Sequence, residues 1–176
     1  MDVKIPLSLS YDDVLLIPQY SEIESRSEVD LATQITPKVK LRIPLISINM
    51  TDVTGVDMAI ALGKLGGLGF LPRFVSPEEE ADMVAAVKKS GVAVGAAIGC
   101  KNGILKRAEL LVKAGVDILT IDVAHGHMLK ALEATRKLKS KFGRHVDVIS
   151  GVVATDEGAN DLYKAGADSV RVGVGP

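Results

Sequence analysis

The 176-residue sequence predicts an α/β fold of repeated βα units, and three observations carry that prediction. Short apolar runs rich in Val and Ile recur along the chain, amphipathic stretches of helical period separate them, and glycine closes most of those stretches. The apolar runs lack strict alternation, as parallel strands do when both faces are covered. Regular units of this kind close into a barrel or wind into an open doubly wound sheet.

An N-terminal arm, residues 1–43, shows no period and reads as irregular. Strands are then expected at Pro44–Asn49, Gly67–Leu71, Ala93–Ile98, Ile118–Ala124, Val146–Ser150 and Ser169–Val172. The helix after the second strand opens on Ser76-Pro-Glu-Glu79, where Ser76 can cap, Pro77 suits the first turn and Glu79 can reach back; Gly91 closes it. Further helices are expected from about Ile104 to Ala114, from about Met128 to Phe142, and from Thr155 to Gly166, the last with Asp156 and Glu157 near its positive end. Lys113-Ala-Gly-Val-Asp117 and Lys164-Ala-Gly-Ala-Asp168 repeat one another, each ending a helix and launching a strand, with Lys64-Leu-Gly-Gly67 as a looser copy. The six strands fall short of the eight that a closed (β/α) barrel needs.

Composition narrows the function. The 21 basic and 22 acidic residues leave a net charge of −1, which provides no basic field for nucleic acid or an anionic membrane surface. One cysteine cannot form an internal disulfide, and Met1-Asp-Val-Lys-Ile-Pro6 lacks the basic and apolar regions of a signal peptide, so a cytoplasmic address is expected.

Chemistry in such folds sits on loops at the carboxyl ends of the strands. Here they read Asn49-Met-Thr-Asp52, Pro72-Arg-Phe74, Gly99-Cys-Lys-Asn-Gly103, Asp122-Val-Ala-His-Gly-His127, Gly151-Val-Val-Ala-Thr155 and Gly173-Val-Gly-Pro176. A glycine pair after a strand, with Arg171 just before it, lets backbone approach a phosphate, an ion or a nucleotide closely.

Ser10-Tyr-Asp-Asp-Val-Leu-Leu-Ile-Pro18, Asn49-Met50, Asp122-Val-Ala-His-Gly-His127, Val153-Ala-Thr155 and Arg171-Val-Gly-Val-Gly-Pro176, in that order and at strand ends, resemble the IMP dehydrogenases and GMP reductases over nearly the whole chain. The resemblance implies a (β/α)8 TIM barrel of which about the first six units are present, as one partial catalytic domain over 1–176. In the family the loop after the sixth strand continues past Gly-Pro to a phosphate-binding serine and a nucleophilic cysteine, so no catalytic residue is expected within the chain as given. That thiolate attacks the purine, hydride passes to NAD, and hydrolysis yields XMP; the reductase converts GMP to IMP with NADPH.

Position by position, the resemblance implies that Asp122 serves the cofactor ribose, with Val123 and Ala124 lining the same contact. Gly173, Val174 and Gly175 form the cofactor-side turn, and the Gly175 carbonyl is a ligand of a potassium ion. Met50 packs on the purine, and Arg171 is a substrate-side candidate. Each has a plainer alternative. Asp122 can cap the next turn or pair with a lysine, Met50 can be core, Arg171 can pair with an acid inside the barrel, and the glycines can be a structural turn. His125 and His127 suit loop structure better than a metal site, because no further ligand has suitable spacing. Cys100 follows the third strand and is read as a small semi-buried residue; Lys101 beside it could lower its pKa.

Some positions depart from the family pattern. Met50-Thr-Asp-Val53 carries its acid one place late, Ile48 stands where serine is common, and Val152 replaces an asparagine. The helix from Ser76 runs straight to the third strand, leaving no room for the paired CBS module of most dehydrogenases, as in reductases. The two histidines of the 122–127 loop point instead to the dehydrogenase, since reductases tend to carry asparagine and tyrosine there. The reading favours IMP dehydrogenase, with GMP reductase as the alternative and a non-catalytic binding or assembly fragment as the third. The resemblance also suggests a homotetramer.

Overall fold

The structure, a computed structural model, describes residues 9–173. A hairpin of β1 (Thr33–Gln34) and β2 (Lys40–Leu41) precedes six parallel strands: β3 (Ile46–Ser47), β4 (Leu68–Leu71), β5 (Val94–Ile98), β6 (Ile118–Ile121), β7 (Asp147–Val153) and β8 (Ser169–Val172). Helices α1 (Val56–Leu65), α2 (Pro77–Lys89), α3 (Ile104–Lys113), α4 (Leu129–Phe142) and α5 (Asp156–Lys164) make the crossovers. Strand order in the sheet follows sequence order from β3 to β8. Residues of both edge strands, β3 and β8, line one concave cavity, so the sheet curls as part of a barrel does.

Strand period divides the side chains between two cores. Val94, Ala96 and Ile98 of β5, with Leu119 and Ile121 of β6, point outward and pack with Val84, Val87, Leu111 and Leu138 from the helices. Leu68, Phe70, Ile118 and Ile149 face inward. Gly95 lies under the Phe70 ring, and a Cβ there would stand 2.3 Å from it.

The arm is not wholly irregular. Its hairpin turns at Thr36, whose Oγ1 accepts the Val39 N–H at 3.2 Å, and it delivers Val39 and Leu41 to the inward core. Strands of two residues are too short to leave a period in sequence. Asp147, buried at the start of β7, accepts the Lys38 N–H at 2.8 Å and stands 3.3 Å from the Lys38 ammonium, fastening the hairpin to the amino-terminal rim.

Three strand boundaries differ from expectation. β3 is shorter because Leu45 and Met50 donate to carbonyls two residues back instead of to a neighbouring strand. β6 ends at Ile121: the Asp122 N–H still bonds to the Ile98 carbonyl at 2.8 Å, but the chain then crosses to β7. β7 continues through Gly151–Val153, with an irregular register against β8 between Ser150 and Val153.

The helix ends follow local chemistry. Ser76 Oγ accepts the Glu79 N–H and Thr155 Oγ1 accepts the Gly158 N–H, both at 3.1 Å. The repeated Lys-Ala-Gly-X-Asp segments have a shared purpose at their aspartates. Asp117 accepts both the Lys88 ammonium and the Val94 N–H; Asp168 accepts the Lys139 ammonium and the Val148 N–H. Each carboxylate thereby joins its strand to the preceding strand and to the helix ahead of it. Replacing Asp168 by Ala strands a partly buried ammonium and a strand N–H, and should destabilise the protein by about 2 kcal/mol in urea unfolding. A loss below about 0.5 kcal/mol would show the clamp to be incidental.

Candidate functional site

The carboxyl ends of the strands bring three charged residues together. Arg73 follows β4, Asp122 follows β6 and Arg171 lies on β8. Arg73 Nε donates to Asp122 Oδ2 at 3.1 Å, and the Arg171 guanidinium approaches Asp122 Oδ1 at 3.5 Å. The Arg73 guanidinium also stacks on Phe74, 4.4 Å from the ring centre. Asp122 is partly exposed, so its carboxylate is held from two sides and still meets solvent.

The loop carrying Asp122 is pinned at three points. The Val123 carbonyl accepts the Val152 N–H at 3.3 Å, the Gly126 N–H donates to the Val152 carbonyl at 2.7 Å, and His127 Nε2 lies 3.1 Å from Asp161 of α5. The His127 hydrogen bond, assisted by Lys164, holds the Asp161 carboxyl below its ordinary range. His127 therefore serves the loop, as the plainer reading of it expects. His125 is exposed, and no group of three or more potential His, Cys, Asp or Glu metal ligands occurs among the described residues.

The other expected site residues divide. Arg171 lines the concave cavity of about 410 Å³ along with Asn49, Ile46, Ile48 and Phe70. Met50 is 55 % exposed, on a turn whose Met50 carbonyl accepts the Val53 and Thr54 N–H groups, each at 2.9 Å. Val123 packs against the core between sheet and helices, while Ala124 is exposed. Gly173 donates to the Val153 carbonyl at 2.9 Å and has φ of 104°, a conformation that favours glycine. Tyr11 of the arm covers it: a Cβ on Gly173 would stand 2.8 Å from the Tyr11 ring. Val174 and Gly175, and with them the expected potassium ligand, lie outside the described residues. Cys100 is half-buried beside the helix-side core, as expected for a small residue there.

A family model described as the IMP dehydrogenase / GMP reductase domain matches residues 8–176. The chain belongs to this family. It is 35% identical to an inosine-5'-monophosphate dehydrogenase of Cryptosporidium parvum, over 96% of this chain and 52% of that protein. Identity to the enzyme of the same name from Borreliella burgdorferi is 33%, over 96% and 54%. A GMP reductase of Leishmania donovani is 26% identical over 98% and 62%. The chain thus spans about half the length of the first two relatives and less than two thirds of the third.

Within this family member, sequence reasoning passed over Arg73 and Tyr11. Arg73 stands in one of the strand-end loops, which was its available signal; its pairing with Asp122 spans 49 positions and leaves no local pattern. Glu80 was also silent in sequence, sitting among charged residues at the start of α2. It is fully buried and pairs with Arg107 of α3, which also donates to the Val75 carbonyl at 2.8 Å. Burial pushes the Glu80 carboxyl up to about 7, against the opposing pull of Arg107 and Arg73.

Since the folded carboxyl titrates above its ordinary 4.5, its contribution to stability is present below pH 4.5 and is lost as pH rises through about 7. Between about pH 5 and 8 the wild type should lose on the order of 3 kcal/mol more than Glu80→Gln, measured by urea unfolding at each pH. Parallel pH profiles would show that Arg107 keeps Glu80 ionised throughout.

Proposed function

We propose that the protein contributes the nucleotide-facing half of an IMP dehydrogenase, which converts IMP to XMP with NAD in guanine nucleotide synthesis. The observation that carries this reading is Asp122, an acid at the carboxyl end of β6 with its carboxylate fixed by Arg73 and Arg171 and open to solvent. A carboxylate has roughly four acceptor positions, and two arginines leave capacity for ribose hydroxyls. On that ground the residues fit a dinucleotide. Bound NAD would supply the hydride acceptor.

The chain's own residues bind and orient. Asp122 accepts from the ribose, and Arg73 and Arg171 hold its carboxylate in place. Val123, whose side chain is turned into the core, supports the contact through the backbone, and Ala124 presents a small exposed surface. Exposed Met50 offers apolar area to the purine. Left-handed Gly173 is the described part of the cofactor-side segment; Val174 and Gly175, the latter the potassium ligand through its carbonyl in this reading, lie outside the described residues. Cys100, just after β5, is not the family's nucleophile; a (β/α)8 barrel would close with two further βα units between β3 and β8. Both edges, and an arm whose Leu15 and Leu16 are 95 % and 97 % exposed, provide the surfaces for that closure and for assembly as a homotetramer. No helix among the described residues is long and apolar enough to cross a membrane; we place the enzyme in the cytoplasm.

GMP reductase is the second reading, favoured by one observation. Only Ser90–Ala93 separate α2 from β5, so no CBS module interrupts the barrel there.

Calorimetric titration separates these readings. NAD should bind, and Asp122→Ala should weaken it by about tenfold or more, the loss of one charge-assisted hydrogen bond, while IMP affinity stays within about twofold. Preference for NADPH and GMP would favour the reductase. Undiminished NAD binding in Asp122→Ala would remove Asp122 from the site.

A further inference from the structure

We propose that Glu80 is a positioning residue for the Asp122 site: ionised and paired with Arg107, it holds the β4–α2 loop where Arg73 reaches Asp122, and its protonation releases that loop. The link is one guanidinium. Arg107 of α3 donates from Nη1 to Glu80 Oε2 and from Nη2 to the Val75 carbonyl at 2.8 Å, two residues past Arg73 in the same loop. Its fork is planar and rigid, so the carboxylate that orients one nitrogen orients both. Arg73 in turn bonds Asp122 through Nε at 3.1 Å.

Glu80 is the member of this chain of contacts that changes state. It is fully buried, and its Oε1 has no partner among the described residues, so Arg107 is what sustains its charge. The charged groups acting on it are Arg107 of α3 and Arg73 of the loop. Strands β4 and β5 behind α2 carry none; Glu78, Glu79 and Asp82 of α2, Asp57 and Lys64 of α1, and Lys106 of α3 are exposed, and Glu109 of α3 is paired with Lys113. A neutral Glu80 accepts more weakly from a cation than a carboxylate does. Arg107 also lines an open cleft of about 510 Å³ together with Glu78, where a released guanidinium meets water and an exposed carboxylate. In moving there it gives up the Val75 carbonyl, and the loop loses its tie to α3.

The same proton acts in opposite directions on the fold and on the loop. Because burial pushes the folded Glu80 carboxyl up to about 7, acidification through that range stabilises the fold relative to the unfolded chain. Over the same range the anchor of the loop weakens. Loosening of Arg73 in acid is therefore not a symptom of unfolding, which a purely structural role for Glu80 would make it.

NMR of isotopically labelled protein, titrated between about pH 5.5 and 8.5, tests the coupling with no ligand present. The Arg73 Nε–H signal and the amides of Arg73 to Ser76 should shift together in one step centred near pH 7. Glu80→Gln, which does not ionise, should keep the low-pH positions throughout. Arg107→Lys retains a cation beside Glu80 but not the fork that holds both partners, so the Glu80 carboxyl carbon should still titrate while the loop signals no longer follow it. A wild type without the step overturns the proposal, as does a step that persists in Glu80→Gln and so belongs to His125 or His127. For a dinucleotide, an extension that rests on the function proposed above, NAD affinity should fall about fivefold or more from about pH 8 to about pH 6 in the wild type, and less than about twofold in Glu80→Gln. An unchanged wild-type affinity would overturn the hold of Glu80 on the site. NAD that binds at neither pH would strike the proposed function alone, since the Arg73 signal is read without it.

Discussion

Parallel pairing is the constraint on which the rest of the structure depends. Each crossover from β3 to β8 is a helix returning the chain to the same end of the sheet, so all six carboxyl ends meet on one rim. Only that arrangement lets residues 73, 122 and 171 share a hydrogen-bonded cluster. The opposite rim holds the fold: Asp117 and Asp168 each accept from backbone and from a lysine there, and Asp147 accepts from backbone and stands beside the Lys38 ammonium. Acidic side chains at the two ends therefore do different work. Those at the strand starts join neighbouring elements, and Asp122 at a strand end keeps a solvent-facing side.

The two sides of the Asp122 cluster differ in what holds them. Arg171 reaches the carboxylate from β8, an edge strand, over a longer contact, while Arg73 is stacked on Phe74 and bonds at shorter range. Arg73 is thus the firmer partner. Glu80 and Arg107 join α2 to α3 behind the loop that carries Arg73, and Arg107 also donates to the Val75 carbonyl of that loop.

Much of the fold was legible because its signals are local. The Val- and Ile-rich runs, the closing glycines and the Ser76 and Thr155 caps each act over a few residues, and all six strands and helices α2 to α5 fall near their expected places. The repeat at Asp117 and Asp168 was visible as a pattern, but its purpose was not, since the partners Lys88 and Lys139 lie 29 positions away. The hairpin was hidden by two-residue strands, and the extension of β7 by Gly151, which reads as a loop. At the site, Asp122 and Arg171 stood out through their motif, and pairing with an acid was one of the alternatives weighed for Arg171. Arg73, the inward turn of Val123 and the cover of Tyr11 over Gly173 depend on long-range packing, which a linear sequence does not display.

The central claim is that the rim around Asp122 receives a dinucleotide. An NMR titration of NAD into isotopically labelled protein tests it directly. The account predicts amide shifts concentrated at Arg73, the Asp122–His127 loop, Gly151–Val153 and Arg171–Gly173. Shifts centred on the opposite rim, around Asp117, Asp147 and Asp168, would contradict it.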